Sequence, residues 1–312
     1  MNSILSQDFK QSLINIVGED HIRFDEPMAA HTTFRVGGPA DALIIPADEK
    51  DLLDAMALCK ASDMPFMIIG NGSNLLVGDK GIRGVVFQLY RTMDQVVFEP
   101  QEDGTVKVHA GAGVMLSKLA KTIAAQSLEG FEFASGIPGT FGGAVTMNAG
   151  AYGGEIKQCI VSAKVLDENG QVCVLTADEL ELGYRTSVIQ KRQLEVLEAE
   201  LCFRKGDKTA ILNRIDELTI QRKEKQPIEF PSAGSTFKRP EGYFAGKLIQ
   251  DAGLKGYRVG GVCVSPKHSG FVVNDENGTA ADVLLLIQDV QRIVMDKFGV
   301  MLEPEVRIIG EF

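Results

Sequence analysis

Between residues 134 and 153 the chain runs without one charged side chain, and it places glycine at 136, 139, 142, 143, 150 and 153. A loop that faces water ordinarily carries charge. A run this small and apolar implies backbone packed against something. Glycine lets main-chain N–H groups approach a large flat ligand or a pyrophosphate closely. Tight strand corners are the plainer explanation, but they account less economically for so long a run.

A second glycine-rich segment, Ile68-Ile69-Gly70-Asn71-Gly72-Ser73-Asn74-Leu75-Leu76, follows an apolar strand pattern. That is the right place for a phosphate loop. It is not a dinucleotide fingerprint of the βαβ kind, which needs a third small residue where Leu75 stands, and then a helix. A plain turn would use the same Asn and Gly residues. Taken together, the two segments fit a dinucleotide held extended by loop backbones, which suits FAD better than NAD.

The 312 residues suffice for two or three domains, and the 45% apolar and 24% charged content is that of a globular chain. The net charge of −10 argues against a nucleic-acid binder. The start has no basic, apolar leader, and apolar runs such as 283–287 are too short to cross a bilayer. A cytoplasmic protein without membrane or nucleic-acid partners is expected, and nothing calls for more than a monomer. Cys59, Cys159, Cys173, Cys202 and Cys263 are odd in number and form no C-x-x-C pair, so buried thiols are expected rather than disulfides or a metal site.

Periodicity predicts helices at 6–17, 48–61, 116–126 and 207–223, and strands at 42–46, 65–69, 81–89 and, about a 102–104 turn, 95–110. Residues 130–154 read as loop, a turn is expected at Glu168-Asn169-Gly170, and residues 191–204 read as strand. The last helix has Thr279 and Asp282 as a capping pair, with Val283, Leu286, Ile287, Val290, Ile293 and Val294 on one face. A strand at 305–309 ends the chain. The order is α+β rather than doubly wound. A boundary near 205 separates 1–204, itself divided at about 90/91, from 205–312.

Three polar segments are unspecific one by one: Ser235 between glycine and two prolines in 231–240, Tyr184-Arg185 in a turn, and Glu305 near the chain end. Ser235 lies outside any G-x-S-x-G motif. In order, these segments join His31-Thr32-Thr33-Phe34-Arg35-Val36-Gly37-Gly38-Pro39-Ala40, the 70–74 loop, the 135–153 run, Ala233-Gly234-Ser235, Ala245-Gly246-Lys247-Leu248-Ile249, Lys267-His268-Ser269-Gly270-Phe271-Val272-Val273-Asn274 and Glu305-Val306-Arg307. Over nearly the whole chain this pattern resembles the UDP-N-acetylenolpyruvoylglucosamine reductases, flavoenzymes of bacterial peptidoglycan precursor synthesis. The chain has no room after Arg185 for the tyrosine-bearing insertion of one branch, so it resembles the shorter branch.

The resemblance implies a two-part FAD-binding domain of the vanillyl-alcohol-oxidase-like type and a smaller α/β substrate-binding domain. It implies non-covalent FAD, NADPH as co-substrate, and reduction of the enolpyruvyl ether of a UDP-sugar. By motif position Ser235 is the proton donor to carbon, Arg185 binds the substrate carboxylate, and Glu305, protonated through burial, hydrogen-bonds the enolic acid. Asn71, Gly72, Ser73, Asn74, Gly136, Gly139, Thr140, Gly142, Gly143 and Asn148 are expected at FAD. Tyr184, Lys225, Lys238, Arg239 and Lys267 are expected at the substrate. No metal is implied. The alternatives are an FAD-dependent sugar or hydroxy-acid oxidase on the same scaffold, which would use oxygen, and a nucleotide-sugar sensor, which would hold no flavin.

Overall fold

The computed structural model describes residues 4–167 and 170–312. Glu168 and Asn169 of the expected turn lie outside the described residues.

Helix α1 (Gln7–Val17) is capped by the Ser6 hydroxyl and buries Phe9, Leu13 and Val17 along one face. Then come β1 (Ile22–Pro27), β2 (Pro39–Ile44), α2 (Glu49–Ala61), β3 (Phe66–Ile69), β4 (Leu75–Val77) and β5 (Ile82–Gln88). They form a sheet in the order β1-β2-β5-β3, parallel except for β1. Strands β2 and β5 are buried on both faces, as a covered parallel sheet requires, and are largely apolar, with Asp41 of β2 paired to Arg83 of β5 at 2.7 Å. The edge strand β1 carries Arg23, Asp25 and Glu26, and its polar alternation hid it from the sequence analysis.

The next stretch holds β6 (Val96–Pro100), β7 (Thr105–Gly111), α3 (Leu116–Ala125), β8 (Leu128–Glu129), α4 (Phe141–Thr146), β9 (Gly150–Ala151), β10 (Gly154–Glu155), β11 (Ile160–Leu166), β12 (Val172–Thr176), α5 (Val188–Arg192) and β13 (Glu195–Lys205). An antiparallel sheet runs β12-β11-β13-β7-β6, with β8 also paired to β13. The glycine-rich run is not all loop, because α4 lies inside it. A Cβ on Gly142 would stand 2.7 Å from the Ala112 Cβ, so the bare glycine lets this short helix sit against the end of β7.

The remainder comprises α6 (Lys208–Lys225), α7 (Ala245–Asp251), β14 (Arg258–Val259), β15 (Val262–Val264), β16 (Val272–Asn274), α8 (Ala280–Phe298) and β17 (Arg307–Ile309). Helix α6 is capped by Asp207 and lays Ile211 and Ile215 against Ala124 of α3, so it packs on the preceding sheet system. The second large core gathers Phe237, Leu248, Ile249, Val262, Val272 and the inner face of α8. Thr279 and Asp282 close the expected capping box, and Gly299 ends α8 in the left-handed region.

The chain end returns to the first half: β17 lies parallel to β4, with Arg307 opposite Leu75 and Ile309 opposite Val77. The strand starts at 307, not 305, because residue 304 is bridged to Phe237 instead. Glu305 therefore stands outside it. Cys59, Cys159 and Cys263 are buried, but Cys173 is exposed on the outer strand β12 and Cys202 is half-buried on β13. Those two correct the expectation of buried thiols throughout. Among the described residues no helix is long and apolar enough to cross a membrane.

Asp79, which follows β4, accepts the Ala280 and Ala281 N–H groups with one oxygen each, both at 2.8 Å. It thus ties the first half to the open N-terminus of α8. Asp79→Ala should lower unfolding stability by about 1–2 kcal/mol, measured by urea denaturation.

Candidate active site

Two cavities meet at one ion pair. The larger, of about 560 Å³, is walled by the 70–74 loop, residues 139–147, residues 189–196 and residues 304–307. The smaller, of about 410 Å³, is walled by Ser235, Phe237, Arg239, Phe244, residues 245–247 and residues 267–270. Arg185 and Glu305 belong to both walls.

In the larger cavity the glycine loops form a cradle of amide N–H groups. Among the described residues, no N–H of residues 71–74, Gly139 or Thr140 donates to a main-chain acceptor. Main-chain N–H groups left without a main-chain acceptor beside a cavity are suited to an anion. The loops are stapled together by Asn71, whose Nδ2 donates to the Pro138 carbonyl at 2.7 Å. Ile137, Leu89, Ile189, Val196 and Val306 supply apolar surface to the same cavity. Its wall also holds Glu195, which sequence reasoning missed. Burial pushes that carboxyl up to about 8, against the pull of Arg307.

Arg185 sits in the tight turn 183–186 with φ 54°, a conformation that costs a non-glycine residue on the order of 1 kcal/mol. Its Nε donates to Glu305 Oε1 at 2.6 Å, and its Nη2 to the Gly150 carbonyl at 3.2 Å. Burial raises the Glu305 carboxyl above its ordinary range, while Arg185 and then Lys238 oppose the shift. Ser235 is brought beside this pair by Thr236, whose N–H donates to the Gly270 carbonyl and whose carbonyl accepts from the Glu305 N–H, each at 2.8 Å. Ser235 itself is exposed on the wall of the smaller cavity.

Alternation along 235–239 sorts the neighbouring groups. Ser235, Phe237 and Arg239 line the smaller cavity, while Lys238 lies on the wall of the larger one and is ion-paired to Glu303. Lys238 therefore stands apart from the other expected substrate cations. Lys225, exposed at the end of α6, is on neither wall. Tyr184 accepts from the Arg239 N–H at 3.0 Å, and the Arg239 guanidinium lies 3.9 Å from the Phe244 ring centroid. Lys267 is on the smaller wall, with Nζ donating to the Lys223 carbonyl at 2.7 Å.

Of the residues expected at FAD, Asn71, Gly72, Ser73, Asn74, Gly139, Thr140, Gly142 and Gly143 line the larger cavity, and Gly136 and Asn148 do not. The Gly136 carbonyl is taken by Arg222. Asn148 is wholly buried, its side chain satisfied by Glu155, the Gly183 carbonyl and the Lys157 N–H. Phe244, Lys247, Gln250 and His268 line the smaller cavity without having been singled out. Lys247 and His268 lie inside quoted motifs, and that was the available signal.

Comparison with known proteins places the chain in a family. The family profile described as "FAD binding domain" matches residues 40–176, and the one described as "UDP-N-acetylenolpyruvoylglucosamine reductase, C-terminal domain" matches residues 226–309. A UDP-N-acetylenolpyruvoylglucosamine reductase of Lachnoclostridium phytofermentans is 54% identical over 100% of this chain and 99% of its own. The solved UDP-N-acetylenolpyruvylglucosamine reductase of Thermus caldophilus superposes with a TM-score of 0.76 at 34% identity, over 90% of this chain and 97% of that one. An alkyldihydroxyacetonephosphate synthase, at 16% identity and a TM-score of 0.50 over 66% of this chain and 42% of that one, shares the fold of that part of the chain. The chain thus belongs to the UDP-N-acetylenolpyruvoylglucosamine reductase family and is an FAD-dependent oxidoreductase.

Proposed function

We propose that the chain reduces the enolpyruvyl ether of UDP-N-acetylglucosamine to UDP-N-acetylmuramate, with NADPH as reductant, for peptidoglycan precursor synthesis in the cytoplasm. The observation that carries this reading is the Arg185–Glu305 pair, with Ser235 at its side, on the seam between a cradle for a dinucleotide and a cation-bearing pocket. In this reading residues 1–204 hold the cofactor and 205–312 bring the substrate side.

The larger cavity fits FAD. Its unpaired N–H groups suit a pyrophosphate, and its apolar wall suits a flat ring. Asn71, Gly72, Ser73, Asn74, Gly139, Thr140, Gly142 and Gly143 would hold it. When bound, FAD supplies an acceptor for hydride from nicotinamide and a donor of hydride to the vinyl carbon.

The smaller pocket would take the UDP-sugar, with Arg239 and Lys267 facing the diphosphate and Tyr184 fixing the Arg239 backbone. The substrate carboxylate would compete with Glu305 for Arg185, a planar fork well matched to a carboxylate. Its arrival takes from Glu305 the charge that opposes burial, and drives the acid to take up a proton. Neutral Glu305 then donates a hydrogen bond to the enolic oxygen as negative charge develops there. Ser235 Oγ–H gives its proton to the carbon next to the one that received hydride, and solvent at the exposed mouth restores it.

Two measurements test the roles. Ser235→Ala should leave flavin bleaching by NADPH unchanged, and slow anaerobic reoxidation by the enolpyruvyl UDP-sugar by about 10²–10⁴-fold in stopped-flow absorbance. Reoxidation at the wild-type rate would remove Ser235 from the reaction, and reoxidation by oxygen alone would favour an oxidase. The second measurement concerns pH. Activity that needs protonated Glu305 is fully present below its raised titration point and falls as pH rises through it. Glu305→Gln should abolish that limb of the pH–kcat profile and lower its plateau.

A further inference from the structure

The free N–H groups of the 70–74 loop are there because its carbonyls are held behind. The Gly70 carbonyl accepts from Gln88 Nε2 at 3.2 Å, the Gly72 carbonyl from the Thr33 N–H at 3.3 Å, and the Asn74 carbonyl from the Arg307 N–H at 2.9 Å. Two of these anchors are main-chain. The first is a side chain, and it has a support of its own. Gln88 is buried at the end of β5, opposite Ile69, so its amide reaches the first residue of the loop. Its Nε2 is committed to Gly70, which turns its Oε1 toward His31 Nδ1 at 2.8 Å. The other edge of the ring is fixed by Glu26, whose Oε1 stands 2.9 Å from Nε2. The His31 main chain also lies under the loop: a Cβ on Gly72 would come within 2.0 Å of the His31 carbonyl oxygen.

We propose that His31 is a positioning residue for the cofactor's pyrophosphate, acting through Gln88 on the 70–74 loop. Glu26, His31 and Gln88 form a relay that keeps the Gly70 carbonyl turned away from the cavity. A carbonyl rotated inward would put partial negative charge against a phosphate and withdraw the neighbouring N–H. This inference rests on the reading that the pyrophosphate of FAD lies on this loop.

The test is the dissociation constant of FAD from the apoprotein, by flavin fluorescence quenching. His31→Ala removes the donor to Gln88. His31→Asn replaces it, because the asparagine amide nitrogen falls where Nδ1 stood. Gln88→Glu keeps size and the contact with His31, but cannot donate to Gly70 as a carboxylate. The expected result is FAD affinity about tenfold weaker in His31→Ala and in Gln88→Glu, and largely restored in His31→Asn. If His31→Ala and His31→Asn bind FAD alike, whether as wild type or both weakened, the relay is overturned. Ser73→Asp separates this failure from that of the underlying reading, since an anion on the loop should abolish FAD binding. If Ser73→Asp binds FAD normally, the pyrophosphate is not on the loop. If it abolishes binding while the two His31 variants coincide, the cofactor's place stands and the relay alone falls.

Discussion

The parallel pairing of β17 with β4 is the constraint on which the site depends. Strand β4 emerges directly from the 70–74 loop, and β17 is the last strand of the chain. Their register fixes residues 304–307 against the cradle and hands Glu305 to Arg185, 120 positions earlier in sequence. Asn74 serves the same junction twice: its carbonyl accepts from the Arg307 N–H, and its Nδ2 donates to the Glu305 carbonyl at 3.0 Å. The loop on the wall of the larger cavity is thereby bonded to the residue shared by both cavities.

In the proposed reading, electrostatics at the seam let a chain of net charge −10 serve two anionic ligands. There the cofactor would be held by partial charges of main-chain N–H groups, which need no basic residue. The smaller pocket is lined by Arg239, Lys247 and Lys267. Between them the largely buried Glu305 carboxyl is paired with the Arg185 guanidinium. Ion pairs of this kind are a poor source of net stability, because desolvation offsets much of the attraction, but they respond strongly when one partner is withdrawn.

Much of this was legible in the sequence. Helices α1, α2, α3 and α8 declare themselves by period, and the parallel strands by largely apolar runs. Part of the uncharged 134–153 segment, Gly139 to Ala149, contributes to the wall of the larger cavity. Other features were hidden for physical reasons. Strand β1 is an edge with charged residues, and α4 is a single short helix built on glycines, which no propensity scale favours. Lys238 was grouped with its neighbours although alternation sends it to the other wall. Asn148 has the composition of a binding residue but spends its amide on three internal partners. Glu195 and Gln88 acquire significance only from residues far away in sequence, and one chain read alone carries no mark of such partners.

The central claim is that the substrate carboxylate displaces Glu305 from Arg185 and leaves it protonated. Calorimetric titration of the oxidised flavoprotein with the enolpyruvyl UDP-sugar, at neutral pH in buffers of different ionisation enthalpy, measures this directly. The account expects uptake of about one proton on binding, and its loss in Glu305→Gln. Binding without proton uptake, or uptake that persists in Glu305→Gln, would contradict it.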